Sequence, residues 1–273
     1  MTTKVAVVGA TGKMGLLISR ILDDSPDYEV VARLGSKQPL SAMLGAQLAV
    51  DVTHPAVSPG VVDFAVEHGI KVLVGTSGWS GSRIAALERK LADTPTAGVV
   101  IIPNFSIGSM LVSAFSAMAA RFYESIEIVE AHHSGKVDSP SGTAVRTAEL
   151  IGGVRATIGP VAAAHSDQRA RGQQVLGVPI HSMRMQGIIA RQDVVLGGAG
   201  EIVTLRHETT SSESYEAGIL LAVEAASTAR GVLVGLDSIV DIGSIVGSGS
   251  GSGVGTSSGV GTGSGVPTDV LAP

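Results

Sequence analysis

KVAVVGATGKMG, residues 4–15, opens the chain with a short β-branched run that leads into three glycines spaced G-x-x-G-x-x-G. Apolar residues then recur at helical spacing from Met14 to Leu22, and a second apolar run spans residues 29–34. This order of strand, glycine turn, helix and strand is typical of a dinucleotide-binding fold. The glycines permit a tight turn and let backbone N–H groups approach a pyrophosphate at a helix start. A plain glycine turn is the alternative.

The alternation of strands and helices continues through the first hundred residues. Apolar runs at residues 48–52, 71–74 and 99–102 predict strands, and residues 57–68 and 82–91 have helical spacing. Each of these strands ends in small or polar residues: DVTHP at 51–55, GTSGW at 75–79 and PNFS at 103–106. Ligands of open parallel sheets bind outside the carboxyl ends of the strands. We therefore predict that these loops wall a cofactor site, although strands also end in polar turns without any function.

The pattern changes after a long apolar helix at residues 107–122. Longer alternating runs at 126–131, 181–184, 187–196 and 201–208 predict a mixed or antiparallel sheet, with a mobile loop at 166–177. A helix at 214–229 and an apolar piece at 232–240 are expected to pack back on the first domain. The predicted class is α/β: a Rossmann-type parallel sheet domain (1–106 and 215–243) plus an α+β domain with a mixed sheet (107–214). Residues 244–273, rich in Gly and Ser, are predicted to be a flexible, dispensable tail.

Composition excludes several classes of function. The 273 residues are 44% hydrophobic but only 3% aromatic, which suits a layered core of small aliphatic side chains. The net charge is −5 and the chain lacks a basic run, which argues against nucleic acid and an anionic membrane surface. The absence of cysteine excludes disulfides and thiolate chemistry. Without a signal peptide or a long apolar span, we expect a soluble cytoplasmic protein.

EAHHSGKVDSPSGT, residues 130–143, carries the candidate chemistry. It follows the predicted strand 126–131 and precedes a run with helical spacing at 143–151. Imidazoles at His132 and His133 can carry protons near neutral pH, and Lys136 adds positive charge for an acidic substrate. The start of the following helix offers N–H groups that can bind an anion. A polar loop with a capping serine is the alternative, and the histidines at 165, 181 and 207 are interpreted as structural or surface residues.

These motifs together resemble the 4-hydroxy-tetrahydrodipicolinate reductase family, also called dihydrodipicolinate reductases. The pattern E-A-H-H-x-x-K-x-D-x-P-S-G-T-A at 130–144 is the most specific, and the glycine loop, the loops at 52–55, 75–78 and 103–106, HSMR at 181–184 and Gly200-Glu201 support it. The resemblance covers residues 4–242. It implies a Rossmann lobe, a mixed-sheet lobe that also builds a homotetramer, NADH or NADPH as the reductant, and no metal.

The resemblance also implies roles for individual residues. His132 would donate a proton at the reacting ring, and Lys136 would be a second acid and a carboxylate partner. The substrate, a small dicarboxylate, would be held by His133, Ser141, Gly142 and Thr143. The cofactor would be bound by Gly9, Ala10, Thr11, Gly12, Lys13, Met14, Gly75, Thr76, Ser77, Ile102, Pro103, Asn104 and Phe105. Lys37 joins them as a candidate cation for a cofactor phosphate, on its position after the second strand.

Two departures from the family pattern bear on specificity. SESY at 212–215 stands where the family usually has R-x-x-F, which removes a positive charge. The acidic residue expected after the second strand is also missing, because its position falls on Gly35. An acid there favours NAD, whereas a nearby cation accommodates the 2′-phosphate of NADP. Arg33 or Lys37 could be that cation, so we predict a preference for NADPH; the alternative is that both are ordinary surface charges.

Two further functions stay open at this point. The chain could be another dinucleotide-dependent dehydrogenase that acts on a different small acid. It could also be a non-catalytic nucleotide-binding protein, although binding alone would not need a histidine and a lysine placed for proton transfer.

Overall fold

Residues 2–240, which the computed structural model of the chain describes, contain two β-sheets flanked by helices. The strands are β1 (Thr3–Val8), β2 (Tyr28–Leu34), β3 (Leu48–Asp51), β4 (Lys71–Val74), β5 (Gly98–Ile101), β6 (Ser125–His132), β7 (Gln173–Val175), β8 (Val178–Arg184), β9 (Ala190–Gly198), β10 (Glu201–Thr209) and β11 (Gly231–Val234). The helices are α1 (Lys13–Asp23), α2 (Ser58–Glu67), α3 (Gly81–Leu91), α4 (Ile107–Ala119), α5 (Gly142–Arg155) and α6 (Glu216–Thr228). The predicted tail, residues 244–273, lies outside the described residues.

The first sheet is fully parallel and has the strand order β11-β5-β4-β3-β1-β2. Every residue of β3 and β5 is buried, as expected for strands covered by helices on both faces. The chain passes from β2 across β1 to β3, so the strand order reverses between β1 and β3. Ligands of such sheets bind at the reversal, outside the carboxyl ends of the strands. This sheet confirms the predicted Rossmann-type architecture.

The second sheet is mixed and has the order β10-β9-β6-β8-β7. Only β6 and β8 pair in parallel, and the other neighbours are antiparallel. Side chains of one face form a core with α4 and α5, and Ile126 and Ile128 of β6 belong to it. Since strand residues alternate between faces, Glu130 and His132 of β6 follow them on the helix-covered side. The predicted mixed sheet is thus confirmed. The last residues of β6 lie near the start of α5, since the N–H of Ser141 donates to Glu130.

The carboxyl-terminal part of the described chain returns to the first sheet. β11 pairs in parallel with β5, and α6 packs against β4 and β5. The helices of residues 2–240 do not include one with the length and apolarity that a bilayer crossing requires.

The structure corrects the prediction of a mobile loop at 166–177. This segment contains a 3-10 helix, Arg169–Arg171, and the strand β7, which forms a hairpin with β8. Leu176 and Gly177 connect the two strands and both have positive φ, at 47° and 82°, which is the signature of a tight hairpin turn. β7 lies at the edge of the sheet, where its side chains need not be apolar. Its polar sequence therefore lacks the alternating pattern that predicts a strand. Helix α4 also ends at Ala119, before the predicted end at residue 122.

Candidate active site

The glycine loop between β1 and α1 forms a cradle that side chains would fill. Gly9 has φ +89°, and a Cβ there would lie 2.4 Å from the carbonyl oxygen of Val52. A Cβ on Gly15 would lie 2.1 Å from the carbonyl oxygen of Gly9. Only glycine allows β1, α1 and the end of β3 to approach this closely. The start of α1 therefore faces the reversal of the strand order with bare backbone, which fits a dinucleotide pyrophosphate.

Loops after β3 and β4 are bonded to each other beside this cradle. The N–H of Thr53 donates to the hydroxyl of Thr76 (2.8 Å) and to the carboxylate of Asp51 (3.1 Å). Asp51 is fully buried and also accepts from the hydroxyls of Thr53 and Ser58. Sequence reasoning did not single out Asp51, although an acidic residue at the end of a buried strand is a usable signal. Of the predicted cofactor residues here, Thr76 is buried and Ser77 is exposed.

Two predicted cofactor residues after β5 lie in the core. Ile102 is 1% exposed and Phe105 is 4% exposed. The Phe105 ring packs on Gly75, where an added Cβ would lie 2.8 Å from Cε2. Ile102 and Phe105 can therefore contribute to the predicted cofactor site only through backbone atoms.

Asn104 joins the predicted cofactor loop to the predicted substrate loop. Its Nδ2 donates to the hydroxyl of Thr143 (3.2 Å) in the first turn of α5 and to that of Ser109 (3.1 Å). Its Oδ1 accepts from the N–H of Ser106 (2.9 Å), which fixes the amide orientation. Asn104 and Thr143 also border a cavity of about 40 Å³, together with Pro103, Arg146 and Asp237. Loops from the two sheets therefore meet at one place.

His132 lies at the end of β6 and is held by a buried carboxylate. Its Nδ1 is 2.6 Å from Oε2 of Glu130, which is fully buried. Arg184 of β8 donates to both oxygens of this carboxylate, at 2.9 Å each. The backbone N–H of Ser141 donates to Oε1 (3.2 Å). Three elements thus converge on Glu130, and the result is a partly buried imidazole in a fixed position.

Glu130 is ionised despite its burial. Burial raises its pKa and is the largest single influence, but hydrogen bonds from His132, Arg184 and Ser182 and the charge of Arg184 together outweigh it, and the pKa falls from 4.5 to about 2. A permanent negative charge therefore lies directly behind the His132 ring. Glu130 and Arg184 appeared in the sequence only as members of matched motifs. The signal that could have singled out Glu130 is an acid two residues before a histidine on a strand, where both share one face.

Lys136 and Asp138 form an ion pair in the loop that connects β6 to α5. The lysine Nζ is 2.8 Å from Oδ1 of Asp138, and Arg184 donates to the Asp138 carbonyl (2.6 Å). Burial opposes ionisation of Asp138, yet the hydrogen bond from Lys136 lowers its pKa. The N–H of Lys136 bonds the carbonyl of His133 (3.1 Å), and the His133 side chain is exposed. The predicted substrate residues His133 and Lys136 therefore share one turn.

Helix α5 begins at Gly142, as the predicted anion-binding site requires. Ser141 is the N-cap, and its hydroxyl accepts from the N–H of Ala144 (3.2 Å). Within residues 2–240 the N–H groups of Gly142 and Thr143 have no hydrogen-bond partner. Ser141 itself is 2% exposed and its polar atoms serve Glu130 and the cap. Its hydroxyl therefore caps α5, and the predicted contact of Ser141 with substrate stays a prediction.

Cations near the end of β2 differ in how they are paired. Arg33 donates to both carboxylate oxygens of Asp23, at 2.5 and 2.6 Å. Lys37 is exposed, and in the described part of the chain it has no ion-pair partner. The N–H of Gly35 bonds Oε1 of Gln38 (2.9 Å). Lys37, rather than Arg33, is the cation available to a ligand here.

His165, His181 and His207 make no hydrogen bond to the His132 loop within residues 2–240. His181 Nε2 is 2.5 Å from a carboxylate oxygen of Glu127. His207 Nε2 is 3.0 Å from the hydroxyl of Ser106, and burial lowers its pKa. His165 is exposed and has φ 54°. These contacts agree with the interpretation of all three as structural or surface residues.

Two family models match consecutive parts of the chain. Residues 3–105 match the amino-terminal part of dihydrodipicolinate reductase, and residues 108–240 match its carboxyl-terminal part. A 4-hydroxy-tetrahydrodipicolinate reductase of Clavibacter michiganensis subsp. michiganensis is 64% identical over 242 residues, covering 89% of this chain and 87% of that protein. The enzyme of the same name from Streptomyces griseus subsp. griseus is 44% identical over 245 residues, covering 88% and 98%.

A solved structure resembles the whole described fold. It is the dipicolinate-bound dihydrodipicolinate reductase from Paenisporosarcina sp. TG-14, with a TM-score of 0.72 and 27% identity. The match covers 88% of this chain and 100% of that one.

Proposed function

Because the chain belongs to the dihydrodipicolinate reductase family, we propose that it reduces 4-hydroxy-tetrahydrodipicolinate to tetrahydrodipicolinate in the diaminopimelate route to lysine. The overall conversion adds one hydride and one proton to the ring and releases one water. The observation that carries the proposal is the hydrogen bond between Asn104 and Thr143. It sets the cofactor end of the parallel sheet against the helix start that follows the His132 loop.

His132 is the proposed proton donor to the ring. Loss of water from the 4-hydroxy substrate would give a conjugated ring; a hydride that enters this ring leaves a carbon with carbanion character, and a placed imidazolium can protonate it. The Nδ1 atom of His132 is hydrogen-bonded to Glu130, so Nε2 is the nitrogen that would give its proton to the ring. Lys136 assists by attracting the dicarboxylate, and it would exchange its ion pair with Asp138 for one with substrate.

The amino terminus of α5 is the proposed carboxylate site. The N–H groups of Gly142 and Thr143 carry the positive end of the helix dipole toward the loop. The exposed His133 would contribute a further polar contact to the substrate, and the Ser141 hydroxyl caps the first turn of α5. This helix start and the Lys136 ammonium of the preceding loop together offer two positive groups, which suits a dianionic substrate.

The glycine cradle and the loops after β3, β4 and β5 would hold the dinucleotide. A reduced nicotinamide, when bound, supplies the hydride. The N–H groups of Gly9 and Ala10 donate to the carbonyl of Leu34 and that of Gly12 to the carbonyl of Gly9, so this loop would bind the pyrophosphate with the N–H groups of Thr11, Lys13 and Met14. Residues 75–77 and 102–105 would border the nicotinamide half. We propose that NADPH is preferred, since Lys37 is an exposed cation and no carboxylate stands at Gly35 to repel a 2′-phosphate.

The proposal divides the chain into a dinucleotide-binding domain (1–106 and 215–243) and a substrate and assembly domain (107–214). The face of the second sheet opposite α4 and α5 supports self-association, because Met183 and Ile202 are exposed there. We propose a homotetramer that works in the cytoplasm, where nicotinamide dinucleotides are regenerated. Light scattering on the purified chain tests this: a stable monomer at assay concentration would contradict it.

A substrate panel tests the proposed reaction. Nicotinamide absorbance is followed with enzymatically made 4-hydroxy-tetrahydrodipicolinate and, separately, with other small oxo and imino acids. We expect dinucleotide oxidation with the first substrate at a kcat/KM at least about 10³-fold above the others, within the usual range of specific enzymes. Faster turnover of another acid would favour a different dehydrogenase, and binding of NADPH without turnover of any substrate would favour a non-catalytic protein.

A further inference from the structure

We propose that Glu130 is a positioning residue for the proton transfer: its buried carboxylate holds the His132 imidazole with Nδ1 protonated and thereby commits Nε2 to the substrate. This inference rests on the proposed function, in which His132 is the proton donor.

The geometry of β6 brings the two side chains together. Glu130 and His132 are separated by one residue on a strand, so they project from the same face. The Nδ1 to Oε2 distance is 2.6 Å, a short charge-assisted hydrogen bond. An ionised carboxylate can only accept, so Nδ1 must carry the proton in both charge states of the ring. Nε2 has no hydrogen-bond partner within residues 2–240, and it is the nitrogen whose proton can come and go.

Glu130 can position the ring because it is itself immobilised. Two N–H groups of Arg184 and the N–H of Ser141 bond its two oxygens, and none of its surface is exposed. These partners come from β8 and from the start of α5, so the carboxylate is fixed relative to the proposed substrate site. The pKa of about 2 keeps it ionised at neutral pH. The charge also stabilises the imidazolium that must exist before the proton is given up.

Loss of this carboxylate should affect turnover rather than substrate binding. Glu130 is buried behind the imidazole and has no surface for the substrate to touch. Without it, His132 can rotate about its side-chain bonds and can place its proton on either nitrogen. The fraction of complexes with a donor in the correct position then falls, which lowers kcat and leaves KM nearly unchanged.

The chain offers a matched control on the same strand. Glu127 of β6 accepts from Nε2 of His181 (2.5 Å) and from Arg171, so it repeats the grouping of a glutamate with a histidine and an arginine. It lies on the opposite face of the sheet from Glu130, because the two are an odd number of positions apart. Glu127→Gln therefore removes a similar cluster without touching the His132 loop.

The experiment combines kinetics with histidine NMR on the full chain. Nitrogen and carbon shifts of isotope-labelled histidine report the tautomer of each of the seven rings, and His132→Gln identifies the signals of His132. In the wild type we expect the Nδ1-protonated form, with a downfield proton that disappears in Glu130→Gln. Glu130→Gln should lower kcat roughly 10- to 100-fold with KM within about threefold, a part of the full value of a placed donor. Glu127→Gln should keep kcat within about twofold, a change too small to involve a proton-transfer group.

Different results separate the inference from the proposed function. An Nε2-protonated neutral ring in the wild type would overturn the inference, and this measurement needs no variant to fold. Unchanged kcat in Glu130→Gln, alongside a large loss in His132→Gln, would also overturn it while leaving the donor assignment intact. Failure of the wild type to turn over the substrate would instead reject the proposed function. Oligomeric state is measured for every variant, so that a kinetic loss is compared only between equal assemblies.

Discussion

At the scale of single residues, Glu130 links the stability of the fold to the site. Its pKa in the folded chain, about 2, lies below the value of 4.5 that an unperturbed glutamate has. A depressed pKa contributes stability above the unfolded value, and that contribution is lost as the pH falls through the folded value. The stability that Glu130 contributes is therefore lost between about pH 5 and pH 2. The free energy of unfolding declines in this range because Glu130 takes up its proton at a higher pH in the unfolded chain than in the folded chain.

Glu130→Gln should make the free energy of unfolding less dependent on pH in this window. The wild type should lose about 3 kcal/mol from this group between pH 5 and pH 2, given 1.36 kcal/mol per pKa unit. The variant lacks the titrating carboxylate, and at neutral pH it is less stable because Arg184 loses its partner. Urea unfolding at several pH values checks this: the two curves should converge toward acid, and parallel curves would contradict the assignment.

Lys37→Glu should change the choice of cofactor. The variant replaces an exposed cation near the end of β2 with a charge that repels a 2′-phosphate, so the kcat/KM ratio for NADPH over NADH should fall by about tenfold or more, equal to 1.4 kcal/mol. Lys4→Glu is the control, since Lys4 is an exposed residue in the first half of β1, away from the carboxyl ends of the strands. Both dinucleotides are measured at matched ionic strength, and a wild type that is clearly better with NADH would sink the proposed preference.

At the scale of elements, the glycine loop places α1, and its tight packing is open to a direct test. Gly15→Ala puts a methyl group 2.1 Å from the carbonyl oxygen of Gly9, so the loop must open. We expect a loss of about 1–3 kcal/mol in stability, the usual cost of overpacking, and weaker NADPH binding. Gly60→Ala is the matched control: an added Cβ on this exposed residue of α2 would meet nothing within 4 Å.

The control should behave in the opposite way. Replacing glycine by alanine inside a helix gains about 0.5–1 kcal/mol when space allows, so Gly60→Ala should melt slightly higher and bind NADPH normally. Thermal unfolding and titration of NADPH measure both variants. If Gly15→Ala matches the wild type in both, the cradle does not depend on the close approach of Gly9 and Gly15.

Elements with strong periodicity were predictable from the sequence, whereas edges and ends were not. The strands β1 to β5 were predicted to within one residue at each end, because each apolar run is bounded by glycine or polar residues, whereas β11 was predicted only as part of an apolar piece at 232–240. β7 was not predicted, because an edge strand of three mostly polar residues has no hydrophobic periodicity. Ser141, Ile102 and Phe105 were assigned by their place in a motif, and their burial depends on packing that a linear sequence does not display.

At the scale of the whole molecule, the site forms where two sheets meet. Asn104 and Thr143 are 39 positions apart and belong to loops that serve different sheets. Neither composition nor periodicity could place them in contact, and only the family resemblance connected the two loops in advance. The same holds for Arg184, which is 54 positions from Glu130 and reaches it through the parallel pairing of β6 with β8. The residue types that carry the proposed chemistry could therefore be predicted from the sequence, but the contacts between distant residues that assemble the site could not.

The most direct test of the central claim is the kcat of His132→Gln with enzymatically made 4-hydroxy-tetrahydrodipicolinate and saturating NADPH. His165→Gln is the control, because that histidine is exposed and outside the site. We predict that His132→Gln lowers kcat by about 10²- to 10⁴-fold, the value of a placed proton donor, with a much smaller change in KM. The control should match the wild type. A His132→Gln variant that keeps full kcat would contradict the account, because the proton would then come from another group.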